Sequence, residues 1–245
     1  MISQSSVQRS FIIPVLDLSP HSHFNIETLL GDLEAVDGEV ICIFNASEVY
    51  ERLKCHPRID KYCFNKHNAG VSRSWNLGIH LSESKTIFMM NADLHIMPKA
   101  IDQLESYLYR LPDAVLVGPQ GSYVDFYSLR IIKYFEKGTF QQPIRTHDVS
   151  GFLFCLHLPR FTRHNLHFDV RYSPCFMEEW DIGIQVMKAG LACYAVPVVD
   201  FDHEWGISGP CQDRPIDYFG RRVYRNELLM ANRKKFLAKW FGNPE

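Results

Sequence analysis

Four short runs, apolar almost throughout, set the strongest limit on what this chain can fold into: Phe11–Leu16, Glu39–Phe44, Ile87–Met90 and Ala114–Val117. None alternates apolar with polar residues, as a strand with one wet face would. Each has the pattern of a strand buried on both faces. Helical spacing fills the gaps. Ile26, Leu29, Leu30 and Leu33 recur at i, i+3, i+4 and i+7, and Glu48–Leu53 reads as a short helix. Val71, Trp75 and Ile79 make one stripe, and Pro98 opens a helix whose Ile101, Leu104 and Leu108 face inward. Tyr62–Phe64 adds a short strand. This alternation predicts an α/β domain with a mostly parallel central sheet flanked by helices. In such a sheet, ligands bind outside the carboxyl ends of the strands.

The second half is less regular. Val149–Leu156 reads as a strand, Met177–Lys188 as a helix closed by Gly190, and Leu191–Val196 as a strand stopped by Pro197. Tyr123–Gln142 has no clear period. With no repeat or linker, one domain is expected over 1–245. It has a first half over about 9–118, a second over about 119–210, and a C-terminal helix over about 217–241.

Charge and cysteine usage narrow the classes. The formal net charge of −2 gives no overall drive toward nucleic acid. Seven cysteines form no C-x-x-C pair, and several sit in apolar runs, as reduced core cysteines do, so a cytoplasmic protein is expected. Asn45-Ala46-Ser47 fits a glycosylation acceptor but follows a buried strand. The polar first residues do not read as a signal peptide, and no apolar run approaches the roughly 20 residues of a membrane span.

The run Thr86–Met90 ends abruptly in Asn91-Ala92-Asp93-Leu94-His95. Asp93 and His95 are two apart, so in an extended segment they point the same way and could hold one divalent ion. Taken alone, the stretch fits a polar turn equally well. Asn45 and Asn68 also fall at or just after strand ends. Glu178 and Glu179 open a helix, where the dipole favours acids whatever their role.

Four features, in order, resemble a family 2 glycosyltransferase of the GT-A fold. The first two strands resemble its paired nucleotide-binding strands. Asn68-x-Gly70 and Asn76-x-Gly78 reproduce its N-x-G-(x)5-N-x-G spacing. Asn91-Ala92-Asp93-Leu94-His95 looks like a variant of its D-x-D metal motif. Phe176-Met177-Glu178-Glu179-Trp180-Asp181, with Lys188-Ala189-Gly190, resembles F-x-E-D-x-D-(x)6-K/R-x-G, which carries the catalytic base. The likeness spans roughly residues 9–208. It departs where an acid usually ends the second strand, here Asn45, and where Arg usually precedes the second Asn, here Trp75. No Q-x-x-R-W follows the base motif, which argues against a processive polysaccharide synthase.

The resemblance implies an inverting, metal-dependent transferase moving one sugar from a UDP, GDP or dTDP sugar to a glycan or lipid-linked acceptor. Glu179 takes the base position, with Glu178, Ser150 and Gly151 touching the acceptor or supporting the residues that do, and Asp181 orienting the acceptor or the local turn. Pro14, Asn45, Ser47, Asn68, Gly70, Arg73, Asn76, Asn91 and Ala92 fall to the nucleotide. Asp93, His95 and the late His203 fall to Mn2+ or Mg2+. Arg73 and Lys66 fit diphosphate contacts and solvated surface charges equally.

The last helix carries Arg225, Arg233, Lys234, Lys235 and Lys239 beside Leu228, Phe236, Trp240 and Phe241. It could lie on the inner membrane surface or pack on the domain with a basic outer face. Two rival functions remain. A nucleotidyltransferase would want a Gly-rich basic loop, which Pro14–Pro20 lacks, and a non-catalytic sugar-nucleotide or protein-binding module would fit Asn45 but not Asp93 with Glu179.

Overall fold

The computed structural model describes residues 9–18, 23–203 and 215–242. Residues 1–8, the stretch 204–208 after His203 and Gln212–Arg214 therefore lie outside the described residues.

The first half alternates as expected: β1 (Arg9–Val15), α1 (Ile26–Asp32), β2 (Glu39–Phe44), α2 (Ser47–Leu53), β3 (Lys61–Phe64), α3 (Val71–Leu81) and β4 (Thr86–Met90). Then come β5 (Leu94–Ile96), α4 (Pro98–Arg110) and β6 (Ala114–Gly118). The segment without a clear period forms a ribbon, β7 (Gly121–Asp125) with β8 (Arg130–Phe135), and is followed by β9 (Ile144–Thr146). After it come β10 (Leu153–His157), α5 (Leu158–Arg163), α6 (Glu178–Lys188), β11 (Ala192–Ala195) and β12 (Phe201–His203). The chain ends in a hairpin, β13 (Ile216–Tyr218) with β14 (Arg221–Val223), and α7 (Arg225–Phe241). The C-terminal helix thus starts later than its apolar spacing suggested, because residues 216–223 pair as strands.

The central sheet has eight strands in the order β3-β2-β1-β4-β10-β6-β11-β9. Pairings among β3, β2, β1 and β4, and between β6 and β11, are parallel; β10 runs against both its neighbours and β9 against β11. Every residue of β2, β4 and β6 is buried. One core lies under α1 and α4, with Phe11, Phe44, Phe88 and Leu104, and the other under α3 and α6, with Ile12, Trp75, Met89 and Val186. Each fully buried large apolar side chain contributes roughly 1.5–3 kcal/mol.

Two antiparallel pairings position the site. Because β10 is antiparallel to β4, its start lies beside the carboxyl end of β4: Leu153 faces Met90, and the Asn91 N–H donates to the Phe152 carbonyl at 2.8 Å. Because β12 is antiparallel to β5, His203 faces Leu94. Residues from the two halves therefore meet at one sheet edge.

Candidate active site

A cavity of about 470 Å³ opens at that edge. Its walls include Pro14, Asn45, Asn68, Gly70, Asn91, Ala92, Asp93, Ser150, Gly151, Glu178, Glu179 and His203. Most of the residues singled out in the sequence are thus brought together.

Asp93 sits in the turn between β4 and β5, and its Oδ1 is 3.3 Å from His203 Nε2. Asn91 Nδ2 is 3.3 Å from the same ring nitrogen, and Phe152 stacks on the ring with centroids 4.3 Å apart. Both donors are largely shielded, at 14% and 9% side-chain exposure. His95 departs from expectation. The turn at Asp93 breaks the two-residue period, and in β5 the His95 Nδ1 lies 2.9 Å from Asp32 Oδ2 while its ring stacks on Phe24. It ties β5 to the end of α1 and is not a wall of the cavity.

Several nucleotide candidates serve the walls instead of facing inward. Asn45 spends its hydrogen bonds internally: Oδ1 accepts from Ala69 N and Asn65 Nδ2, while Nδ2 donates to Ser74 Oγ and the Ile43 carbonyl. An amide has two donors and two lone pairs, so little is left for a base. Asn68 Oδ1 accepts from the Gly70 N–H, and its Nδ2 donates to the Asp217 carbonyl. Gly70 has φ +87°, and a Cβ there would stand 2.7 Å from Pro174 Cα, so the position demands glycine. Asn76 bonds the backbone of Phe168 in both directions. Arg73 donates to the Tyr218 hydroxyl at 2.8 Å. Ser47 and Lys66 are exposed, and none of Ser47, Lys66, Arg73 and Asn76 lines the cavity. Indeed no Lys or Arg does among the described residues.

The same cavity has an acidic group in its lining, Asp148, Glu178 and Glu179. Glu179 leaves the first turn of α6 and packs against Gly151, where any Cβ would collide with its Oε1. The Gly151 N–H donates to this carboxylate. Burial, reinforced by the charge of Asp148, pushes the Glu179 carboxyl up to about 7. Glu178 is 4% exposed with an unpaired Oε2, and burial followed by the charge of Glu179 drives its carboxyl well up. Ser150 Oγ shares a hydrogen bond with the Tyr134 hydroxyl at 2.7 Å.

The sequence reading missed Asp148, Trp75, Tyr134 and Trp180, all walls of the cavity. Asp148 accepts from Ser122 N, Ser122 Oγ and the Trp180 ring, and burial raises its carboxyl to about 6. Its position directly before the strand-like run Val149–Leu156 was the available signal. Tyr134 lay in the segment without a period and gave none.

Asp181, expected to orient the acceptor or the local turn, is fully buried and outside the cavity. It accepts from Tyr172, Gln185, Lys239 and Trp240. Lys239 and Trp240 belong to α7, so this carboxylate fastens the C-terminal helix to the helix bearing Glu179. Leu228 and Phe236, two of the apolar residues that would enter a membrane, are buried against the domain. No described helix is long and apolar enough to cross a membrane.

The model of glycosyl transferase family 2 matches residues 11–159. No curated protein matches the sequence. Among solved structures, GalNAc-T7 with UDP, GalNAc and Mn2+ superposes with a TM-score of 0.68 at 12% identity, over 97% of this chain and 49% of that one. The chain thus spans about half the length of that structure, and the likeness is one of fold, GT-A.

Proposed function

The chain belongs to glycosyl transferase family 2, and from that premise we propose that it moves one sugar, with inversion, from a nucleotide diphosphate sugar to a hydroxyl of a glycan or lipid-linked acceptor. The observation that carries this is the placing of Glu179 and the Asp93–His203 pair on one cavity.

Glu179, pushed up to about 7, is poised to take the acceptor's proton as the hydroxyl attacks the anomeric carbon. One displacement with a separate base inverts the anomeric centre. Gly151 fixes the carboxylate through its N–H, and Glu178, Ser150 and Tyr134 supply polar atoms beside it. Ala92 and Pro14 give the nucleotide end a smooth wall.

The residues present fit a divalent ion. Asp93 and His203 offer a carboxylate oxygen and an imidazole nitrogen to one point, a donor set that suits Mn2+ somewhat better than Mg2+. No group of three acidic, His or Cys side chains is placed to hold a metal ion among the described residues, so the remaining ligands would come from diphosphate oxygens and water. A bound ion would offset the charge of the departing diphosphate, which no Lys or Arg among the described lining residues does. The neighbour holding UDP and Mn2+ supports the same assignment. The described cysteines are all free, in keeping with a cytoplasmic site of action.

Thermal shift against UDP, GDP and dTDP, with and without Mn2+, tests the reading. One nucleotide should raise the melting temperature only with the ion. No response to any of the three, or the same response in Asp93→Ala, would overturn it.

A further inference from the structure

The segment leading into Glu178 is strained. Phe176 and Met177 have φ of +78° and +82°, and neither is glycine. Such backbone is costly for a residue with a side chain and persists only where neighbours impose it. Met177, which precedes α6, has no side-chain cap to hold it. The restraint comes from α7. Asn232 is fully buried, and its Nδ2 reaches the carbonyls of Tyr172 at 2.6 Å, Cys175 at 2.9 Å and Phe176 at 3.3 Å. Its Oδ1 accepts from Lys235 Nζ, which also donates to the Arg171 carbonyl. One helix turn on, Phe236 packs with Tyr172, Met177 and Ile184. The strained segment is therefore gripped on its outer side by α7, while Pro174 and Cys175 form cavity wall on its inner side.

We propose that Asn232 is a positioning residue for sugar transfer: from the C-terminal helix it fixes the strained backbone that sets where Glu179 enters the cavity. This rests on the reading of Glu179 as base. Asn232 is not a wall of the cavity, so it acts only through the segment it holds. Misplacing a catalytic group by about 1 Å can cost about 100-fold in rate. The nucleotide end, with Pro14, Asn45 and Asp93, is built on β1, the residue after β2 and the turn after β4, and meets the gripped segment where Gly70 packs on Pro174.

The test compares wild type with Asn232→Leu, which keeps the branched shape and loses the donors. Hydrogen–deuterium exchange in peptides covering 171–181 should speed up at least tenfold, with 39–44 and 86–90 protected as in wild type. With the nucleotide sugar that the wild type turns over, kcat for nucleotide release should fall at least about tenfold while the donor KM moves less than about twofold. Wild-type exchange over 171–181 with wild-type turnover would overturn the proposal. So would uniformly faster exchange including the strands, which would mean general destabilisation. Asn232→Ser, which fills less space, is read the same way if the Leu variant does not fold. Glu179→Gln is run in parallel: wild-type turnover there would reject the base, while the exchange result would still decide whether Asn232 holds the segment.

Discussion

Asp93 Oδ1 lies 3.3 Å from His203 Nε2, although the two residues come from opposite halves of the chain. The antiparallel pairing of β5 with β12 makes the contact, and the stacked Phe152 holds the ring in place. Asp93→Ala is expected to abolish the Mn2+-dependent part of nucleotide binding, and His203→Ala to weaken it by roughly 10–100-fold. His95→Ala should leave it unchanged, because that imidazole is committed to Asp32. Calorimetry with UDP and GDP, with and without Mn2+, separates the three. Equal losses at His95 and His203 would return both histidines to the ion.

Glu179 gives the reaction a definite pH dependence. Its carboxyl is raised to about 7, so the proton-accepting form grows in as pH rises through that value. Turnover should increase about tenfold per pH unit below it and level off above. Glu179→Gln should bind donor normally and transfer sugar at least about 100-fold more slowly. Since the charge of Asp148 helps raise Glu179, Asp148→Asn should move the midpoint of the limb to lower pH. A limb that stays put in that variant would mean Asp148 is not felt at the base.

The same burial makes these acids costly to the fold. A carboxyl raised in the folded state is protonated there while the unfolded chain has already ionised. Folded molecules therefore hold more protons between the ordinary carboxyl range and about 7, and stability must fall as pH rises across that window. The acids Asp148 and Glu179, raised to about 6 and about 7, both act in this direction. Urea denaturation should show Glu179→Gln more stable than wild type by about 3 kcal/mol at pH 8, with the gain vanishing near pH 4.5. Equal stability of the two proteins at both pH values would show that Glu179 is solvated rather than buried.

What the sequence disclosed was what local pattern controls. Buried parallel strands have no wet face, so β2, β4 and β6 stood out as unbroken apolar runs. Pro98 and Gly190 marked helix ends through backbone restrictions alone. Residues at or just after strand ends, Asn45, Asn68 and Asp93, could be placed because a parallel sheet gathers such ends at one edge. The failures share a cause: each depends on a partner distant in sequence. The His95 side chain follows Asp32, and Arg73 follows Tyr218. Asp148 becomes a cavity wall only because β10 enters the sheet against its neighbours. The ribbon of β7 and β8 carries exposed Ile131 and Ile132 with a register shift, which erases the alternation a strand normally shows.

The attachment of α7 yields the last prediction. Asp181 is fully buried and accepts five hydrogen bonds, two of them from Lys239 at 2.7 and 2.9 Å. Lys239 also reaches Asp169 at 2.8 Å, so one ammonium serves two carboxylates. Removing one partner of a shielded pair leaves an uncompensated charge out of water, which typically costs 3–5 kcal/mol. Lys239 keeps some exposure, with 17% of its side chain accessible, so Lys239→Met is expected at the lower end, about 3 kcal/mol. Asp181→Asn in the same chain removes the stranded charge while Tyr172 and Trp240 can still donate to the amide oxygen. The double variant should therefore be more stable than Lys239→Met alone, a sign that simple loss of packing would not give. Urea midpoints of wild type, both single variants and the double variant measure the coupling directly. Strictly additive losses would show that Lys239 and Asp181 stabilise the helix independently.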